Sequence, residues 1–174
     1  ELKDLAQEVA IASATLDGRV APATAAALGD RLRFLNSYHS NLIEGHKTTI
    51  PEIEAALQKE FSGDEQKRYA QELCAAHVEL ERELTGEVLA DPPAGICGFG
   101  FVGRIHRRFY EKLPEQHRYT HSGGGFTRHR VMAGQMRDGA ISLDGGRTAH
   151  GPDAAELPPL YERFAAMYDP ANFH

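Results

Sequence analysis

Glu44 stands in the stretch His39-Ser40-Asn41-Leu42-Ile43-Glu44-Gly45-His46-Lys47-Thr48-Thr49, between an apolar helical turn and a glycine. Gly45 can take the left-handed conformation that closes a helix, so the carboxylate falls at a helix C-terminus. The helix dipole places negative partial charge there, and an exposed anion loses about 0.3–1 kcal/mol. Such a carboxylate calls for a cation. An arginine serves best, because it is always charged and presents a planar fork to the two oxygens. The bland alternative is a last helical residue that is merely solvated.

Other residues invite chemistry with less support. There are nine histidines, and His117 and His121 sit four apart, a metal-ligand spacing on a helix. They run into Gly123-Gly124-Gly125, which argues against a helix, so solvated loop histidines are the simpler reading and no metal site is expected. His106 reads as a packing or helix-face residue. Gly98, Gly100 and Gly103 have the spacing of a dinucleotide loop, but they follow a Pro-Pro-Ala-Gly loop and not a strand, and no βαβ unit surrounds them. A helix start is the better reading. No Gly-x-Ser-x-Gly or Walker loop occurs.

The elements that must position these residues are mostly helical. Residues 2–15 carry Leu2, Leu5, Val9 and Ile11 on one stripe, ended by Asp17-Gly18. Residues 22–44 follow, with Ala25, Leu28, Leu32, Leu35 and Leu42-Ile43 as the apolar face. Thr49-Ile50-Pro51-Glu52 predicts a capped start, with Glu52 returning a bond to the cap. Ser62-Gly63-Asp64-Glu65 predicts the same box at the head of a long helix that reaches about Leu89, before Asp91-Pro92-Pro93 breaks it. Gly100 to Leu113 is a further helix. The glycine-rich stretch from His117 predicts a β-hairpin, with Phe126 to Ala133 and Ala140 to Leu143 paired across Met136-Arg137-Asp138-Gly139. Helical pattern returns at Glu156, Leu160, Phe164 and Met167. The fold class expected is mainly α, a helical bundle with one small β-hairpin. Residues 1–95 form an N-terminal helical region and 96–174 a second region with the hairpin.

At 174 residues, 41% apolar and 25% charged, the chain suits one folded domain. A net charge of −6 argues against a nucleic-acid binder or an anionic-membrane binder. No apolar run approaches the ~20 residues of a membrane span. Cys74 and Cys97 form no metal spacing, and two cysteines predict a reducing, cytoplasmic setting.

Ser40-Asn41-Leu42-Ile43-Glu44-Gly45 resembles the Ser/Thr-x-x-x-Glu-Gly/Asn inhibitory motif of Fic-family proteins. "NSYHSNLIEGHKTTIPEIEAAL" is similar to the family's N-terminal region, and "IHRRFYEKLP" to its first core helix. "GGGFTRHRVMAG" resembles the start of its target-docking flap, and "HGPDAAELPPLYERFAAMY" the Pro-rich second half of the flap with the helix after it. The resemblance covers residues 30 to 174. Two departures stand beside it. The signature His-Pro-Phe-x-x-Gly-Asn-Gly-Arg does not occur in these residues. With Val131 and Gly134 aligned, Thr127 occupies the usual arginine position, and Arg128 follows one residue later.

The resemblance implies a protein adenylyltransferase, moving AMP from ATP, with Mg²⁺, onto a hydroxyl of a target protein. It assigns these residues the control and docking half. Glu44 would pair with the signature's last arginine and so exclude a productive ATP pose, with Ser40 one turn earlier and Gly45 closing the helix. Phe126, Thr127, Arg128, Val131 and Gly134 would belong to the flap that docks the target as an added strand. No catalytic residue falls in the chain by this alignment. The catalytic half would lie beyond His174 or on another chain, and its helices would cover an apolar seam. A homo-oligomer is compatible with this reading. The competing reading is a non-catalytic regulatory or interaction fragment of a degenerate Fic protein, and a DNA-binding helical protein stands behind both.

Overall fold

A long central helix collects most of the packing in the computed structural model, which describes residues 2–91, 93, 95–122, 127–139 and 151–172. Six α-helices occur among them: α1 (Leu2–Asp17), α2 (Pro22–Ile43), α3 (Ile50–Leu57), α4 (Glu65–Ala90), α5 (Phe99–Lys112) and α6 (Leu157–Tyr168). A single two-stranded antiparallel hairpin joins β1 (Tyr119–Ser122) to β2 (Thr127–Arg130). The mainly α architecture with a small hairpin is therefore as expected.

Local chemistry explains the helix starts. Pro22 opens α2, where a missing amide donor costs nothing. The Thr49 hydroxyl accepts from the Glu52 amide ahead of α3. The return bond differs from a capping box, since the Glu52 carboxylate accepts from the Thr49 hydroxyl, at 2.9 Å, rather than from its amide. At α4 the cap is Asp64, whose carboxylate accepts from the Lys67 amide at 2.9 Å. Ser62 stands two residues too early for that role and instead accepts from the Asp64 amide at 3.1 Å. Ahead of α6, Asp153 and Glu156 form a reciprocal capping box.

α2, α3 and α5 all lie against α4. One core cluster joins Ile53, Cys74 and Val78, all fully buried, to Phe34, Tyr38 and Leu57. A second joins Leu73 and Ala76 to Leu113, with Tyr69, Phe109 and Tyr110 around them. This second cluster crosses the expected division at residue 95, so α5 shares its core with α4. Arg108 pairs with Glu83 at 2.7 Å and Glu87 at 2.6 Å along the same contact, and Lys112 pairs with Glu83 at 2.5 Å. The Lys112 hydrogen bond, with Arg108 beside it, holds the Glu83 carboxyl below its ordinary range.

Among the described residues the hairpin uses a pairing that was not anticipated. β2 runs through Thr127 and Arg128, but its partner is β1, in the register Tyr119↔Arg130, Thr120↔His129, His121↔Arg128 and Ser122↔Thr127. The bond from the Val131 amide to the Arg118 carbonyl, 2.9 Å, continues the ladder. In sequence the three glycines 123–125 stand between the strands, a shorter connection than Asp138-Gly139 offered, and short loops are the common hairpin links. Phe126 and the proposed partner strand 140–143 lie outside the described residues. Val131 and Gly134 fall beyond β2 rather than in it.

Cys74 gives a pH test of this core. Burial pushes its thiol up from 9.0 to about 11, partly opposed by a hydrogen bond with Ser37. The neutral thiol is the favoured form in the fold, so its contribution to stability is complete below pH 9 and is lost as the pH rises towards 11. Urea midpoints measured from pH 8 to 11 are expected to fall more steeply for the wild type than for Cys74→Ala. Parallel curves would mean that the thiol ionises as readily in the fold as in the unfolded chain.

Candidate functional site

The end of α2 is built by backbone bonds. The Gly45 amide reaches the Leu42 carbonyl at 3.0 Å and the His46 amide reaches the Asn41 carbonyl at 2.9 Å. With Gly45 at φ +86, this is a Schellman ending, and it makes Glu44 the C-cap. The expectation from Gly45 therefore holds at the level of individual hydrogen bonds.

Two polar residues that the sequence reading passed over lie buried beneath this ending, one bonded to α4 and one bonded back along α2. The Ser37 hydroxyl, fully buried, donates to the Cys74 carbonyl of α4 at 2.9 Å. Asn41, also buried, donates from Nδ2 to the Ser37 carbonyl at 2.9 Å. Their signal in the sequence was polar residues four apart on a helix face that also holds Phe34 and Tyr38. On the far side of Gly45, the His46 ring packs edge-on against Tyr69, with centroids 5.2 Å apart, and Tyr69 packs against His117 at 4.4 Å. His117 Nε2 lies 2.5 Å from the Glu72 carboxylate of α4. The His117–His121 pair is thus no helical ligand pair: His117 ends a 3-10 turn and His121 sits on β1.

Glu44 itself is exposed, and among the described residues its carboxylate has no hydrogen-bond or ion-pair partner. Ser40, one turn earlier, is exposed at the rim of an apolar groove of about 650 Å³ between α2, α4 and α5. Leu80, Leu84, Leu89, Phe101 and Ile105 line that groove.

The expected flap residues divide. Thr127 and Arg128 lie on β2, opposite Ser122 and His121. Gly134 lies 6 residues past Arg128 and docks on α5. Its amide donates to His106 Nδ1 at 2.8 Å. Burial lowers the His106 pKa, which keeps the ring neutral and Nδ1 free to accept. Gly134 has φ +78, and a Cβ there would meet the Gly103 carbonyl oxygen at 2.9 Å and Arg107 Cβ at 3.0 Å. The Gly98-x-Gly100-x-x-Gly103 spacing thus serves close packing: Gly98 caps α5 and Gly103 admits the backbone at Gly134. Arg137, in the following loop, donates to the carbonyls of Gly139 and Pro152.

Among the described residues no group of three His, Cys, Asp or Glu converges as metal ligands. The amides of Phe101 and Val102 are already bonded to the Gly98 carbonyl. No helix of the described residues is long and apolar enough to cross a membrane. No family model, curated protein or solved structure matches this chain.

Proposed function

We propose that the chain is the control and target-docking half of a cytoplasmic Fic-type protein adenylyltransferase, with Glu44 as its inhibitory carboxylate. One observation carries this reading. A Schellman ending fixes Glu44 at the negative end of α2, exposed and unpaired among the described residues, beside an apolar groove that other helices can fill. A carboxylate so placed is suited to an arginine from outside these residues.

In this reading the roles divide along the chain. Ser37 ties the end of α2 to α4, and Asn41 bonds back to the Ser37 carbonyl within α2. Gly45 terminates the helix, and Glu44 takes the arginine that would otherwise hold a terminal phosphate of ATP. Ser40 lies on the adjoining face. β2, with Thr127 and Arg128, supplies a strand for target docking, anchored through Gly134 on α5. ATP and Mg²⁺ would supply the AMP group and charge neutralisation from a site that these residues do not form, so no chemical step is assigned to them. The alternative, a non-catalytic regulatory fragment, makes the same use of Glu44 without transfer.

The test is label transfer. Full-length protein carrying Glu44→Gly is incubated with ATP labelled at the α- or the γ-phosphate. Covalent label on protein from the α-phosphate alone is expected. Label from the γ-phosphate alone, or from neither, sinks the adenylyltransferase reading.

A further inference from the structure

α2 has two apolar faces. Phe34 and Tyr38 turn to the core beside the buried Ser37 and Asn41. Ala25, Leu28, Leu32 and Leu35 lie roughly 150° around the helix from these, at about 100° per residue. Leu28 is 50% exposed and Leu32 55% exposed. α1 presents a matching stripe in Leu2, Leu5, Val9, Ala12 and Leu16, where Leu5 is 53% exposed and Val9 69%. Both stripes alternate steps of three and four residues. That 3.5-residue period is the signature of helices that pair along a seam.

We infer that these helices join two copies of the chain. α1 of each copy lies antiparallel along the outward seam of the other copy's α2. In one register Leu5 faces Leu32, Val9 faces Leu28 and Ala12 faces Ala25. Glu8 of one copy and Arg31 of the other then flank the same two layers.

The charges agree with this arrangement. α1 carries Asp4, Glu8 and Asp17 against Lys3. On the facing stretch of α2, Arg33 is already held by Asp30 at 2.8 Å with its side chain 17% exposed, which leaves Arg31 as the open cation. Arg31 already meets Glu54 at 3.1 Å, but its side chain is 70% exposed and open to a second carboxylate. The contact is reciprocal, so it closes as a two-fold dimer. The same layers could close within one chain about the turn after Asp17, but here Leu5, Val9, Ala12 and Leu16 of the α1 stripe are exposed rather than laid on their own α2.

Sedimentation velocity on the full-length protein, in a Cys97→Ser background, reads this directly. The wild-type seam is expected to give a dimer. Val9→Glu and Leu32→Glu, both at exposed positions, are each expected to return it to monomer with helical circular dichroism unchanged. Differently tagged chains carrying Glu8→Cys and Arg31→Cys are expected to cross-link to one another on oxidation. A monomeric parent protein overturns the inference, as does a dimer that survives both glutamates. A disulfide that forms only within a chain carrying both cysteines also overturns it, in favour of closure within one chain.

Discussion

If the proposed adenylyltransferase reading holds, replacing Glu44 by glycine is expected to raise AMP transfer by the full-length protein about 10- to 100-fold, the range that follows when charge-assisted hydrogen bonds of about 1.5–3 kcal/mol are lost. The side chain has no partner among the described residues, so its removal leaves the internal contacts of the fold intact. Glu44 sits at φ −78 and ψ 2, a conformation open to any residue, and the helix ending runs through the amides of Gly45 and His46. A glycine at 44 therefore preserves the geometry and deletes only the anion. Glu44→Gln keeps the shape and removes the charge, and it should release activity in the same direction. Initial rates of label incorporation, with thermal melting as the control for folding, check both. Unchanged rates in both variants, with the wild type active, would remove Glu44 from a regulatory role.

Gly134→Ala is expected to cost about 3 kcal/mol, a fall in melting temperature of about 6–12 °C for a chain of this size. Two costs combine. An L-residue at φ +78 loses about 1–2 kcal/mol. The new Cβ also meets a backbone oxygen at 2.9 Å, which no side-chain rotation relieves. Relief requires the segment to lift from α5, and that breaks the Gly134 amide bond to His106. The loss of that bond is visible in the His106 ring signals by NMR. Gly63→Ala is the control, because a Cβ there meets nothing within 4 Å and its φ is not positive. Equal melting temperatures for the two variants would mean that Gly134 is not fixed where it lies.

What the sequence disclosed was local. Gly45 announced the end of α2, Thr49 and Pro51 the start of α3, and Pro114 the close of α5, because each acts on amides or carbonyls within a turn of itself. The α4 cap was misplaced by two residues because Ser62 and Asp64 are both competent caps, and backbone geometry chose between them. The β1 partner of β2 went unanticipated for a different reason. Strand choice is set by pairing across the chain, and 119–122 carries no alternation stronger than its neighbours. His106 and Gly134 lie 28 residues apart. Neither residue alone signals the contact, although a glycine after a strand and a histidine on a helix face were each visible. Ser37 and Asn41 read as polar interruptions until α4 supplied a carbonyl for one of them. Of the candidate site, the carboxylate and its helix ending were legible, and the anchoring beneath them was not.

The Schellman ending carries a mechanical consequence. Gly45 closes α2, Ser37 binds it to α4, and His46 is wedged against Tyr69. The helix can neither grow by a turn nor swing its last residue aside without breaking bonds on both sides of Glu44. If this carboxylate governs an enzyme, it is the fixed post of a latch. The travelling bolt is the arginine that meets it, and release is timed by how often that arginine leaves.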